Sequence, residues 1–300
     1  MKNNFLRKPA SKKGMHAIVF LLLVMILIGI PSYFWTKDNV STLAGRYNSP
    51  LSPIIMIPGS SAQANRFEDL VNTINKKYDE HHSMLELTVH TDDTITYKGS
   101  IKNNDPRPFI VVGFENNKDG YSNIKQQARW MSIAFDALKD RYKFNNFDAF
   151  GHSNGGLIWT YYFEHYFDDD TINVHRMMTV GSPYNFEEKN QSKRTQMLDD
   201  FIKSKNKLPK DLTYYSIAGT KVYTDDGIVP IGSVESGKYI FEGNIKHYTL
   251  ITLTGSNAEH SDMLTNPQFI SLFHQYIIND RTNAPTTTKS RKIDSQQTNK

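Results

Sequence analysis

Residues 151–155 read G-H-S-N-G, a G-x-S-x-G sequence in which the hydroxyl of Ser153 could serve as a nucleophile. The mostly apolar run 147–150 before it predicts a strand, and apolar residues at spacings of three and four after it predict a helix. A sharp turn from strand into helix strains one residue, needs small neighbours and lifts the serine hydroxyl above the sheet edge. The same letters also fit an ordinary glycine-rich turn with a capping serine, so the interpretation depends on partners for Ser153.

A serine hydroxyl is a poor nucleophile near neutral pH, so it needs a general base, and the base needs an acid that orients it. Of the five histidines after Ser153, only His260 falls in a loop that follows the last predicted strand. From such a loop an imidazole can reach over the edge of the sheet. We therefore expect His260 to be the base, although a plain surface histidine is the alternative. The other four belong to predicted helices or lie at the start of strands: His165, His175, His247 and His274.

Two aspartates, Asp225 and Asp226, follow the predicted strand 213–219 in the sequence T-D-D-G-I-V-P. Asp-Gly is typical of turns, so the pair could simply form one. Either carboxylate could instead orient the imidazole of His260. The residues by themselves leave both aspartates open as the acid.

Attack by a serine on a carbonyl produces an oxyanion that two backbone N–H groups usually stabilise. Asn154 follows the nucleophile directly, at the predicted start of a helix, and its N–H is one candidate donor. We expect the second donor in loop 58–61, which follows the first predicted strand.

The rest of the body predicts a sheet that can position these residues. Short apolar runs alternate with helical patterns, which is typical of a mostly parallel sheet with helices on both faces. Sites in such sheets lie at the carboxyl ends of the strands. By composition, the last three predicted strands are inner strands. The predicted strands are 54–57, 84–89, 94–97, 109–114, 147–150, 177–180, 213–218 and 248–253, and the predicted helices include 67–78, 124–142 and 268–278.

Composition excludes several function classes. The chain has no cysteine, so disulfides, thiolate metal sites and a cysteine nucleophile are excluded. The net charge of +4 combines +5 in residues 1–16, +4 in residues 281–300 and −5 in residues 17–280, so the body has no basic footprint for nucleic acid. No His/Asp/Glu cluster has metal-ligand spacing, and the acidic run 168–170 is typical of solvated charge. We expect no metal, no cofactor and no nucleic-acid partner.

The ends of the chain predict a membrane anchor and a polar tail. Residues 17–35 form a nineteen-residue apolar and aromatic stretch, close to the length that spans a bilayer. The basic segment 1–16 should stay cytoplasmic. A cleaved signal peptide is the alternative, but the nearest candidate site, residues 42–44, lies well beyond the apolar stretch. We therefore favour an uncleaved anchor, followed by a polar spacer over 36–50. Residues 281–300 predict a disordered tail.

From residue 54 to 280 the chain resembles the alpha/beta-hydrolase superfamily, and within it the Gram-positive cell-surface hydrolases grouped as a domain of unknown function. The resemblance implies an alpha/beta-hydrolase domain over 51–280, with a mostly parallel central sheet and helices on both faces, preceded by an N-terminal membrane-spanning helix. The segments that carry it are PGSSAQANRFEDLV, FIVVGFENN, GHSNGG, VGSPYNF and TDDGIVP.

The resemblance also implies roles for individual residues. The superfamily commonly places its acid in a D-x-x-V-P pattern, which here makes Asp226 the acid and Asp225 the second choice. The order Ser153, Asp226, His260 is the order that this fold uses. Where the superfamily usually has His-Gly after the first strand, this chain has Pro-Gly, and by that match Ser60 supplies the second oxyanion donor.

Together these inferences predict a membrane-anchored, extracellular serine hydrolase that cleaves carboxylic esters, with a small-molecule or lipid-like acyl ester as substrate. An acyltransferase or amidase on the same triad is one alternative. A non-catalytic surface binding module is another, although an intact set of serine, histidine and acid argues against it. The segment 184–212, between two predicted strands, is longer than a plain crossover requires. We expect it to form either a lid over the site or a surface helix. No oligomeric state follows from the sequence.

Overall fold

A computed structural model describes residues 12–47, 49–168, 171–190 and 192–279. Its body is built on an eight-stranded sheet with the order β3-β2-β4-β1-β5-β6-β7-β8. Strands β2 and β3 pair antiparallel, and every other pair is parallel. The strands are β1 (Ile54–Ile57), β2 (Met84–Val89), β3 (Ile95–Gly99), β4 (Phe109–Phe114), β5 (Asn146–His152), β6 (Asn173–Val180), β7 (Thr213–Ala218) and β8 (His247–Thr252).

Helices cover both faces of the sheet, and the predicted fold class is confirmed. One buried apolar cluster joins the sheet to α3, α4, α5 and α7, and a second joins the opposite face to α2 and α8. Every residue of β1 and β4 is buried, because strands covered on both faces need continuous apolar runs. The helices are α1 (Lys12–Tyr47), α2 (Glu68–Tyr78), α3 (Tyr121–Tyr142), α4 (Asn154–His165), α5 (Gln196–Ser204), α6 (Ile231–Glu235), α7 (Lys238–Phe241) and α8 (Pro267–Phe273).

The last strand differs from its prediction. Residues 248–253 were expected to form an inner strand, but β8 lies at the edge of the sheet and most of its residues are exposed or half-buried. Its threonines and tyrosine suit an edge strand as well as an inner one, since β-branched and aromatic residues favour any pleated, half-buried surface. The prediction of an inner strand is wrong.

The segment between β6 and β7 packs on the body. Its helix α5 begins after Thr195, whose hydroxyl accepts a hydrogen bond from the N–H of Leu198. Met197, Leu198 and Phe201 are buried in the apolar cluster on that face. The middle of the segment is thus a packed surface helix.

The N-terminal helix α1 contains the apolar stretch noted in the sequence. Gly14–Lys37 is a candidate membrane span of 24 residues, and none of its most apolar part is buried in the protein. The predicted span 17–35 lies within it. The helix continues to Tyr47, through most of the segment 36–50 for which the sequence predicts a polar spacer. The predicted tail 281–300 and residues 1–11 lie outside the described residues.

A buried carboxylic acid on α4 makes the stability of the body depend on pH. Glu164 is 2% exposed, and neither of its carboxyl oxygens has a hydrogen-bond partner among the described residues. Burial raises the pKa of Glu164 to about 9. The folded state therefore holds a proton that the unfolded state loses near pH 4.5.

We predict that the carboxyl group of Glu164 makes the free energy of unfolding fall as the pH rises from about 5 to about 9. Its contribution is up to about 1.4 kcal/mol per pH unit. Glu164→Gln, which is neutral throughout, should remove that part of the slope. Urea unfolding of the full-length protein in detergent, followed by near-UV circular dichroism at pH 5, 7 and 8.5, measures it. The control Glu242→Gln changes an exposed carboxylate and should keep the slope. An identical slope in the Glu164 variant would contradict the prediction.

Candidate active site

Ser153 occupies a strained turn between β5 and α4. Its φ of 53° and ψ of −123° lie outside the regions that non-glycine residues favour, at a cost of about 1–3 kcal/mol. The N–H of Ser153 donates to the carbonyl of Val180 at 2.8 Å, which holds the turn against β6. A Cβ on Gly155 would lie 2.1 Å from the carbonyl oxygen of Ile57. Close contact with β1 therefore requires a small residue at Gly155, in line with the expectation that the strained turn needs small neighbours.

Asp226 holds the imidazole of His260. Nδ1 of His260 lies 2.7 Å from Oδ2 of Asp226, and the backbone N–H of His260 donates to the carbonyl of Asp226 at 2.9 Å. The other carboxylate oxygen accepts the N–H groups of Ile228 at 3.0 Å and Val229 at 2.7 Å. With Asp226 only 1% exposed, this carboxylate has one fixed orientation. Its contact with Nδ1 leaves Nε2 of the imidazole as the nitrogen that can accept a proton.

Asp225 faces away from the histidine. It is half-buried, and its Oδ1 accepts the N–H of Gly227 at 3.0 Å. Its Oδ2 lies 3.2 Å from the hydroxyl of Thr224. The structure therefore brings Asp226, and not Asp225, against His260, and leaves Asp225 as part of the turn.

One cavity of about 370 Å³ contains both Ser153 and His260. Its walls come from the carboxyl ends of the parallel strands, where sites in this class of fold are expected. Of the described residues in the segment 184–212, Phe186 and Glu187 border it. The lining residues are 59–62 and Arg66 after β1, Asp119 after β4, 152–154 at the turn, Pro183, Phe186 and Glu187 after β6, 228–229 after β7, and 260–261 after β8.

Two backbone N–H groups in this cavity are free to bind an anion. Among the described residues, neither the N–H of Ser60 nor that of Asn154 has a hydrogen-bond partner, whereas the N–H of Ser61 donates to Asn117 at 2.9 Å. The loop that carries Ser60 passes directly over Ser153, since a Cβ on Gly59 would lie 2.7 Å from Cβ of Ser153. Free donors on both sides of a serine provide what an oxyanion requires.

His152 is a site residue to which the sequence assigned no role. It is 5% exposed, and its Nε2 donates to the carbonyl of His260 at 3.0 Å. Burial, together with the charge of His260, lowers the pKa of His152 to about 3, so its imidazole is neutral under ordinary conditions. This hydrogen bond joins the loop of His260 to the end of β5. The position of His152 next to Ser153 was the only signal in the sequence.

Asn154 is anchored by Asp119, a residue to which the sequence assigned no role. Its Nδ2 donates to Oδ1 of Asp119 at 2.7 Å, and the same oxygen accepts the N–H of Gly120 at 2.6 Å. Asp119 thus joins the loop after β4 to the start of α4. Among the described residues, no group of three or more His, Asp or Glu side chains could hold a metal ion.

Comparison with known proteins shows the family. A family model described as "Alpha/beta hydrolase of unknown function (DUF915)" matches residues 42–280. The chain belongs to this family. The resemblance to alpha/beta hydrolases that the sequence indicated is therefore confirmed. The match covers the whole body and all the residues of the candidate site.

Two solved structures are similar to this hydrolase over most of its length. One is a protein named as a cell surface hydrolase from Lactobacillus plantarum, 50% identical, with a TM-score of 0.70, covering 76% of this chain and 91% of the other. The second comes from Listeria innocua and is 30% identical, with a TM-score of 0.71. The match covers 78% of this chain and 96% of the other. No curated protein matches this chain significantly. Family membership thus shows that the protein is a hydrolase. The substrate class has to be inferred from the candidate site.

The geometry of the acid generates a prediction. Asp226→Asn should lower kcat of this hydrolase by at least about 10²-fold and up to about 10⁴-fold, because the amide no longer holds the imidazole in the required tautomer. Asp225→Asn, the matched control one residue away, should stay close to the unchanged protein. Steady-state hydrolysis of a chromogenic ester compares the two. A larger loss in the Asp225 variant would contradict this assignment of the acid.

Proposed function

We propose that this hydrolase cleaves carboxylic esters, with Ser153 as nucleophile, His260 as general base and Asp226 as the orienting acid. The observation that carries the proposal is the buried contact between Asp226 and His260, because His260 lines the same cavity as Ser153, a serine on a strained turn. Such a combination is typical of serine hydrolases of this fold.

The proposed reaction proceeds through an acyl-enzyme. As Oγ of Ser153 attacks the carbonyl carbon of the ester, Nε2 of His260 takes the hydroxyl proton. The N–H groups of Ser60 and Asn154 stabilise the oxyanion of the tetrahedral intermediate. The imidazolium then protonates the leaving alcohol, and the C–O bond of the ester breaks. Water, activated by the same imidazole, attacks the acyl-enzyme and regenerates Ser153 while releasing the acid.

The nucleophile can be tested by ester hydrolysis. Ser153→Ala should abolish turnover of short-chain 4-nitrophenyl esters, with a loss of kcat on the order of 10⁶ where the assay range allows it. The matched control Ser256→Ala changes an exposed serine outside the cavity and should retain full activity. Undiminished activity of the Ser153 variant would place the nucleophile elsewhere. An unchanged protein that hydrolyses no ester would favour a binding module.

We also propose that α1 anchors the hydrolase in the membrane, with the body outside the cell. Three features support this. Gly14–Lys37 is long and apolar enough to span a bilayer, five basic residues and no acidic residue lie in residues 1–16, and the Lactobacillus neighbour is named a cell surface hydrolase. An excess of positive charge keeps the flanking segment on the cytoplasmic side.

Protease added to intact, wall-stripped cells should therefore digest the body and leave a short N-terminal fragment in the membrane. In inverted vesicles, the matched control, the body should be protected. Immunoblots against tags at the two ends of the chain follow both fragments. Recovery of the protein in the medium with a new N-terminus between residues 31 and 45 would show a cleaved signal peptide instead.

A further inference from the structure

The side chain of Arg66 differs in its contacts from those of the other described arginines of the body. Among the described side chains, each of the others forms an ion pair with an aspartate or lies over a tyrosine ring, whereas Arg66 does neither. The paired arginines are Arg107, Arg129, Arg141, Arg176 and Arg194.

The unpaired guanidinium lies in the wall of the active-site cavity. Arg66 belongs to the 3₁₀ turn Ala64–Phe67, which follows the loop of the oxyanion donor Ser60. Phe67 fixes this turn to the core, since it is fully buried and packs edge-on against Phe150 with ring centroids 5.4 Å apart. The backbone of Arg66 is thus held beside the nucleophile.

Among the described residues, one hydrogen bond joins the side chain of Arg66 to another part of the cavity wall. Its Nη2 donates to the carbonyl of Ser261 at 2.5 Å, and Ser261 directly follows the proposed base His260. The guanidinium therefore joins the loop of the oxyanion donor to the loop of the base. A guanidinium has five N–H donors in a planar fork, and this contact uses one of them.

The carboxylates in the cavity wall leave Arg66 unpaired. Asp119 directs Oδ1 to Asn154 and Gly120, and Glu187 is exposed at the rim. Neither lies within ion-pair distance of the guanidinium. Residues 17–280 carry a net charge of −5. The uncompensated positive charge of Arg66 beside the nucleophile is therefore opposite in sign to the net charge of the body.

We infer that Arg66 binds an anionic oxygen group of the substrate, so that this hydrolase prefers esters carrying a carboxylate or a phosphate near the scissile bond. The fork of a guanidinium matches the oxygens of both groups and binds them through two parallel hydrogen bonds. The inference rests on the proposed esterase function and specifies its substrate class.

The test compares pairs of esters that differ in charge and little in shape. One pair is 4-nitrophenyl hydrogen glutarate and the corresponding 4-nitrophenyl glutaramate, which place a carboxylate or an amide on the acyl side. The other is 4-acetoxyphenyl phosphate and its dimethyl ester, which place a phosphate or a neutral group on the alcohol side. For the full-length protein in detergent, kcat/KM should favour the anionic member of at least one pair by about 10- to 100-fold, as expected for hydrogen bonds to a charged group.

Variants assign this preference to Arg66. Arg66→Gln should reduce the ratio of kcat/KM within the preferred pair to near one, and Arg66→Lys, which keeps the charge without the fork, should give an intermediate ratio. Lys118→Gln, which removes an exposed cation next to Asp119 in the sequence but outside the cavity wall, should keep the ratio. A protein that prefers the neutral member of both pairs, or an Arg66→Gln variant with an unchanged ratio, would overturn the inference.

A binding measurement separates this inference from the proposed function. Calorimetric titration of Ser153→Ala with the same esters needs no turnover. Tighter binding of the anionic ester that is lost in Ser153→Ala/Arg66→Gln would support the role of Arg66 even if the unchanged protein hydrolysed none of the esters. Equal affinity for the charged and neutral esters in both proteins would refute it, whatever the result for hydrolysis.

Discussion

The site depends on how closely three backbone segments approach one another beneath Ser153. The turn after β5, the first residues of α4 and the end of β1 meet so tightly that a single methyl group at Gly155 would overlap the carbonyl of Ile57. In this turn Ser153 has a positive φ, and the loop after β1 passes directly over it, since a Cβ on Gly59 would lie 2.7 Å from Cβ of Ser153. The strain is sustained because β5 and β1 are central strands, with neighbours on both sides and both faces covered.

The remaining groups of the site are supplied by separate loops and are fixed by hydrogen bonds. The loop after β7 orients its own carboxylate through the N–H groups of Ile228 and Val229, and that carboxylate holds the imidazole from the loop after β8. The neutral imidazole of His152 then connects this loop to the end of β5. Because each loop starts at the carboxyl end of a strand of the same sheet, the sheet fixes the positions of these groups relative to one another, which favours a preorganised site.

Much of this arrangement could be predicted because it is encoded locally. The apolar runs and the glycines around Ser153 specify the sheet and its turn, and the position of His260 in a loop after the last strand distinguishes it from the histidines in helices and strands. Other features depend on tertiary contacts that no local pattern reveals. The edge position of β8, the packing of α5, the burial of Glu164 and, among the described residues, the lack of an ion pair at Arg66 depend on which distant segments lie nearby. The choice between Asp225 and Asp226 needed the resemblance, since both precede the same turn.

The central claim is that Ser153 is the activated nucleophile of the cavity. The most direct test is to treat the full-length protein with a fluorophosphonate, digest it and locate the adduct by mass spectrometry among all its serines, including the cavity residues Ser60, Ser61 and Ser261. The account predicts one adduct per chain, on Ser153, whose rate of formation falls when Asp226 is changed to Asn. An adduct on another serine, or no adduct in folded protein, would contradict it.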